Sequence, residues 1–276
     1  MVNGEKITFA TTCYEKDIDK VTSSEYAKKL FRVGNDCIDY RILTVGNVSD
    51  KNSARKKCEA LKEREIIDDF FFSYDYYKKL KRQFKGCSRL SFLRRKKIRL
   101  IIWEILYQRK FKPFYDGINY SVSPMTACLV CPTKWLFYIT EDVEIHSEKT
   151  EEWLSKSIDV MNNNDKVITA TVIRADKDST NEKEKVHRDW SVEEAVSEDN
   201  DFWYSEIFSD QCFLIDTDRV RKTREIFGEE NDFCKKKYPI YGSNDFEQRL
   251  GAYIRNHKLL RATYKDDYYV HLKHWD

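Results

Sequence analysis

Short apolar, β-branched runs recur along this chain between segments of helical spacing, and that alternation predicts the fold class. Ile7 to Thr12 (ITFATT) and Tyr40 to Val45 (YRILTV) read as strands, with a helix over Ser23 to Val33 between them. A loop over Gly46 to Asp50 leads to a helix from Ser53 to Lys62 and a third strand from Ile66 to Phe72. Ser123 to Val130 reads as a helix with Pro124 in its first turn, where a missing N–H costs little. Trp135 to Thr140 (WLFYIT) is an apolar strand that stops abruptly at Glu141-Asp142-Val143-Glu144. Beyond it the pattern predicts a helix over Glu151 to Met161 and a strand over Val167 to Ile173. Ala175 to Asp201 is polar and charged, and reads as a long loop over the site. A short strand at Phe213 to Ile215 and helices over Asp218 to Phe227 and Asp245 to Asn256 follow. The sum is an α/β fold: a Rossmann-like mixed, mainly parallel sheet flanked by helices, whose ligands bind beyond the carboxyl ends of the strands.

Composition narrows the picture without changing it. The chain has 276 residues, 41% apolar and 35% charged, with 8 Gly and 4 Pro, which suits one globular domain over residues 1–276. No run of about 18 uncharged apolar residues occurs, so no membrane-spanning helix is predicted. Met1 to Lys6 carries no apolar leader, and the expected location is cytoplasmic, with peripheral contact to a membrane as an addition. Cys128 and Cys131 form the one close cysteine pair of the eight cysteines, and no second CxxC or HxxxH completes a zinc site, so they read as buried, reduced residues.

Charge is unevenly placed. Between Lys78 and Lys112 there are fourteen Lys and Arg against the single Glu104, so a chain of net charge +2 carries a basic block on an acidic body. Ile98, Ile101, Ile102, Ile105 and Leu106 repeat at helical spacing behind Arg94, Arg95, Lys96, Lys97 and Arg99, which predicts a helical basic insertion over about residues 76–112. One reading is a packed helix with a solvated cationic end, or one paired with the acidic body. The other is a surface that meets anionic lipid headgroups, giving peripheral membrane association, or an anionic acceptor. Nucleic acid is not an expected partner, because no recognised binding motif accompanies the charge.

Candidate chemistry begins at Asp142, a carboxylate at the tip of a buried strand. Transfer of a sugar from a nucleoside diphosphate needs a charge partner for the departing diphosphate, and a divalent cation held by carboxylates supplies one. The passage Trp135 to Glu144 (WLFYITEDVE) resembles the strand and acidic turn of GT-A type glycosyltransferases, which read as an apolar strand ending in Asp-x-Asp. Here Thr140-Glu141-Asp142 keeps the last acid and has Thr for the first. The resemblance implies that Asp142 holds a divalent metal, Mn²⁺ or Mg²⁺, with Glu144 as a substitute acid, and that Glu141 and Asp142 contact the nucleotide-sugar.

Other stretches resemble the family in the same order. Ile7 to Glu15 is similar to its first strand and donor-base loop, implying donor contacts from Thr11, Thr12 and Tyr14. Asn47 to Asp50 is similar to the turn after its second strand, with Asn47 as the donor contact. Phe208 to Gln211 resembles an acceptor-side segment carrying Asp210. Asn244 to Arg249 resembles the acidic helix start that carries the base of inverting members, so Asp245 and Glu247 are candidates to accept the acceptor's proton. Acids in a first helical turn also offset the helix dipole without catalysis, and Asp210 equally suits an ordinary turn. His271 stands where members place a late metal-ligating histidine, although a lone histidine of this kind is as readily a surface residue.

The function these features imply is a glycosyltransferase acting on a glycan or lipid-linked acceptor in surface-polysaccharide or lipopolysaccharide biosynthesis. No GxGxxG, GxxxxGK[ST] or GxSxG is present, which removes the usual sequence support for nicotinamide oxidoreduction, P-loop phosphoryl transfer and serine hydrolysis. Two alternatives stay open. One is a nucleotidyltransferase of related fold; the other is a non-catalytic module that binds lipid or nucleic acid through the basic helix.

Overall fold

The computed structural model describes residues 4–34, 37–46, 48–76, 117–147, 150–175, 194–222 and 246–271. Its first half alternates β1 (Ile7–Cys13), α1 (Ile18–Val21), α2 (Ser24–Phe31), β2 (Tyr40–Val45), α3 (Lys51–Glu63) and β3 (Asp69–Phe72). Next come α4 (Gly117–Val130), β4 (Trp135–Ile139), β5 (Val143–His146), α5 (Thr150–Asn163) and β6 (Val167–Ala175). The remainder is β7 (Ala195–Glu198), β8 (Phe202–Ser205), β9 (Cys212–Asp216), α6 (Thr217–Lys222), α7 (Phe246–Asn256) and β10 (Leu260–His271).

These strands form one sheet in the order β3-β2-β1-β4-β9-β6-β10-β8-β7, with β5 paired to β10 off that path. β1 is parallel to β2 and β4, β2 to β3, and β6 to β10, while β9 and β8 run antiparallel to their neighbours. The mixed, mainly parallel sheet flanked by helices agrees with the expectation from the sequence.

Helices cover both faces, which explains why the central strands are continuously apolar rather than alternating. All five residues of β4 are fully buried. Trp135, Phe137 and Ile139 enter one core layer with Leu30 of α2, Cys58 of α3 and Trp153 of α5; Leu136 and Tyr138 enter the other with Met125 of α4 and Leu250 of α7. Phe137 lies edge-on to Phe9, 5.3 Å between ring centroids, and to Trp153 at 5.2 Å.

Several boundaries differ from the pattern reading, each for a physical reason. α3 starts at Lys51 because the Asp50 side chain accepts the Ser53 N–H at 2.9 Å and caps it. The third strand is shorter, Asp69–Phe72, since Glu65 adopts a positive φ of 55° and ends the preceding helix in a turn. α4 begins at Gly117, so Pro124 lies inside the helix and not in its first turn. The stretch read as one loop from Ala175 to Asp201 contains β7, an exposed strand. β5, β8 and most of the long β10 were not legible as strands, the pattern showing only a β-like run up to His271. The basic segment from Lys78 to Lys112 lies outside the described residues. Among the described residues, no helix is long and apolar enough to cross a membrane.

Candidate active site

The parallel strands β1, β2, β3 and β4 all finish at one edge of the sheet, so their exit loops converge there. The Gly46 N–H donates to Cys13 O at 2.8 Å and joins the exits of β2 and β1. A Cβ at Gly46 would lie 2.6 Å from Tyr14 Cε1, so glycine is what lets the Tyr14 ring lie over this loop. Ser73, just after β3, meets Ser123 of α4 at 3.0 Å between hydroxyls. The Tyr14 hydroxyl meets Ser123 and Thr12; burial, then the nearby Glu141, holds its pKa well above the usual phenol value. On the outer side, the Ser49 hydroxyl donates to Glu15 Oε1 at 2.6 Å, and these Ser49 bonds lower the Glu15 pKa.

Of the β1 residues expected to contact the donor, the two threonines differ. The Thr12 hydroxyl donates to Thr44 O at 3.1 Å and serves the β1–β2 pairing. The Thr11 hydroxyl is fully buried with no hydrogen-bond partner. Asn47 lies outside the described residues.

The acidic turn sits at the tip of β4 and is held from both sides. Thr140 N donates to Gln211 O at 2.9 Å, and Val143 N returns to Thr140 O at 3.1 Å. The Thr140 hydroxyl donates to Asp142 Oδ1 at 2.6 Å, so the residue in place of the usual first acid orients the last one. Asp142 is half-buried, whereas Glu141 is 7% exposed and its Oε2 has no hydrogen-bond partner. Burial, with the neighbouring Asp142 adding to it, raises the Glu141 pKa well above the carboxylate range. Tyr26 of α2 donates to Glu141 O at 2.8 Å, and burial together with Glu141 pushes its phenol up to about 12.

Asp210 joins this group: its charge reaches both Tyr14 and Tyr138, the same phenols that feel Glu141. Pairing of β9 with β4, Cys212 opposite Ile139, brings it there. Gln211 was not singled out in the sequence, yet its Oε1 is buried here without a partner. Glu144 instead faces α2, where its carboxylate meets Lys29 Nζ at 2.9 Å. His271 is opposite Val143 in the β10–β5 pairing, one residue from Asp142 along the turn. Glu247 is half-buried in the first turn of α7, and Asp245 lies outside the described residues.

The state of Glu141 gives a measurable pH dependence. Folding holds its proton above the ordinary carboxyl value, so unfolding releases a proton in that window. Stability is then full at low pH and falls by about 1.4 kcal/mol per pH unit up to the raised folded value. Glu141→Gln is expected to remove this slope and to exceed the wild type in stability at pH 8 but not at pH 4. Urea unfolding from pH 4 to 8 in chelator-treated buffer measures it, and two parallel curves would show that Glu141 is ionised in the fold.

No family model and no curated protein matches the sequence. Solved structures do match, two of them as follows. A crystal structure of GalNAc-T7 with UDP, GalNAc and Mn²⁺ is 11% identical, with a TM-score of 0.46, over 99% of this chain and 45% of that one. The galactosyltransferase LgtC, in complex with donor and acceptor sugar analogues, is 9% identical with a TM-score of 0.43, over 90% of this chain and 70% of that one. This chain thus spans less than half the length of the GalNAc-T7 chain. The edge shared by β1, β2 and β4 brings together the strand ends of the segments whose sequence resembles GT-A glycosyltransferases.

Proposed function

We propose that this protein transfers a sugar from a nucleotide-sugar donor to a glycan or lipid-linked acceptor, in polysaccharide or lipopolysaccharide type biosynthesis. The observation that carries the reading is the Thr140-Glu141-Asp142 turn: a carboxylate oriented by a hydroxyl at the tip of a fully buried strand, beside the exits of β1 and β2.

Among the described residues, no three His, Cys, Asp or Glu side chains cluster around one point. The residues nevertheless fit a hard divalent ion that takes part of its oxygen shell from the donor diphosphate, as Mg²⁺ and Mn²⁺ do. Asp142 would hold it, and the backbone position of His271 suits a second ligand. Glu144 is the weaker candidate, because Lys29 already engages its carboxylate. When bound, the ion would offset charge on the leaving diphosphate.

The chain's own groups do the rest. Thr140 fixes the direction of Asp142, and the Tyr14 ring over Gly46 shapes the floor between the first two exits. Asp210, next to the Gln211 carbonyl that accepts the Thr140 N–H, takes the acceptor hydroxyl's proton in this reading. Asp245 and Glu247 are the other candidates for that step, and Asp210→Asn against Glu247→Gln separates them by which one abolishes transfer.

The test is donor hydrolysis and transfer by the purified protein across a nucleotide-sugar panel, with and without Mn²⁺ or Mg²⁺. Turnover of one donor, lost on chelation, is expected. Silence across the panel with no thermal shift from any nucleotide would sink the reading.

A further inference from the structure

Among the described residues, Lys20 is a cation beside the acidic turn that no carboxylate holds. It belongs to α1, the short helix that follows the exit of β1, and its side chain is exposed. The neighbouring lysines are engaged: Lys29 meets Glu144 at 2.9 Å, and Lys57 pairs with Asp19. Lys20 has an aromatic partner instead, with Nζ 4.6 Å from the centre of the Tyr26 ring. A ring face attracts an ammonium without neutralising it, so the positive charge stays available to an anion.

The place of this charge is fixed from both ends of α1. At the start, the N–H groups of Asp17 and Ile18 donate to Tyr14 O at 3.0 and 2.9 Å, which ties the helix to the loop after β1. At the end, Lys20 O accepts the Ser23 N–H at 3.1 Å and the Ser23 hydroxyl at 2.8 Å. Under the ammonium, the Tyr26 hydroxyl donates to Glu141 O at 2.8 Å. The Tyr26 phenol, which burial raises most, also feels the charges of Glu141, Asp142 and Glu144, so this ring stands among the acids of the turn. The two Tyr26 contacts put the ammonium within about 10 Å of the turn's backbone, about the screening length of physiological salt. Its charge reaches the Glu141 carboxyl, opposing part of the rise that burial causes there.

The chemistry at the turn calls for such a group. With Thr140 in place of a second acid, Asp142 is the oriented carboxylate of the turn. A departing diphosphate gains negative charge as the sugar bond breaks, and positive groups aimed at it stabilise the transition state. A lysine supplies a compact charge with three donors on a flexible stem, which suits phosphate oxygens.

We infer that Lys20 binds the diphosphate of the nucleotide donor, reaching from the Tyr26 ring across the exit of β1 towards the tip of β4. This deepens the reading above and rests on it for the identity of the donor. Before the donor arrives, the ring keeps the ammonium next to the turn, which lowers the side-chain entropy lost on binding.

The test titrates UDP calorimetrically into the full chain in chelator-treated buffer, so that no metal contributes to the affinity. Lys20→Gln is expected to bind UDP about tenfold more weakly, the size of one charge-assisted contact at an accessible site. Lys20→Arg keeps the charge and should restore most of the affinity. Lys28→Gln, which alters another exposed lysine on α2, should leave it unchanged. Added salt should weaken UDP binding more in the wild type than in Lys20→Gln, a readout that a merely structural role would not move. All three substitutions change exposed side chains, and matching thermal midpoints verify the fold. Wild-type affinity in a folded Lys20→Gln protein, a loss that Lys20→Arg does not restore, or an unchanged salt dependence would overturn the inference. Absence of UDP binding by the wild type is a different failure, because it counts against the donor reading. Inorganic pyrophosphate titrated into the wild type and Lys20→Gln then decides the Lys20 site, and equal affinity or no binding overturns it.

Discussion

Asp142→Asn is expected to lower sugar transfer about 100- to 1000-fold while leaving the fold intact, the size of effect seen when one preorganised charge or donor is removed from a transition state. Asparagine keeps the shape and the Thr140 hydroxyl contact, so the turn stays closed by its own backbone bonds. What it removes is the negative charge that, in the proposed function, faces the donor's phosphates and their cation. The effect should therefore fall on kcat and on the metal concentration for half-activity, with less change in nucleotide affinity measured without metal. Steady-state kinetics at several Mn²⁺ concentrations, alongside a thermal melt, separates these. Full activity in a folded Asp142→Asn protein would place the chemistry somewhere other than the tip of β4. A partner variant, Thr140→Val, keeps the acid but removes its orienting hydroxyl, and a smaller loss of the same kind is expected from it.

The largest expected effect on stability lies beneath the site. Trp153 is fully buried on α5 and packs edge-on against Phe137, which in turn meets Phe9. These three rings connect α5, β4 and β1 through one side of the sheet. Trp153→Ala should cost about 3–5 kcal/mol, the range for deleting a large aromatic side chain from a close-packed core. Trp153→Phe should cost much less, because the indole N–H is buried without an acceptor and its removal relieves an unsatisfied donor. Urea unfolding monitored by circular dichroism gives both values. An alanine variant within about 1 kcal/mol of the wild type would mean that this layer collapses around the gap or is loosely packed.

How much of this was legible in the sequence follows from where each strand sits. β1, β2, β4 and β6 are buried on both faces, so their residues form continuous apolar runs that stand out against the charged helices. β5 and β7 are four residues each with exposed positions, such as Val196 at 61%, and carry no such run. β10 was hidden for another reason. Its pairing with β6 jumps from Tyr264 opposite Val172 to Tyr268 opposite Ile173, so Lys265, Asp266 and Asp267 form a polar bulge that breaks the pattern. Asp267 in that bulge is held by the Ser147 hydroxyl at 2.8 Å, a contact 120 residues apart that no local pattern announces. The acidic turn was legible because charge follows directly on an apolar strand. That Glu141 points inward while Glu144 reaches Lys29 depends on the direction of the turn, which is fixed by Gln211 and Tyr26 from distant segments.

The place of β10 also bears on how the chain is made. This strand, residues 260–271, wedges between β6 and β8, both finished well before it. A nascent chain leaving the ribosome can assemble β1 to β4 early, but β6 and β8 then wait with open backbone edges until the last of these twelve residues emerges. During that interval the half-built sheet is open to strands from neighbouring polypeptides. Premature stops before residue 260 should accordingly yield insoluble product rather than a smaller folded protein.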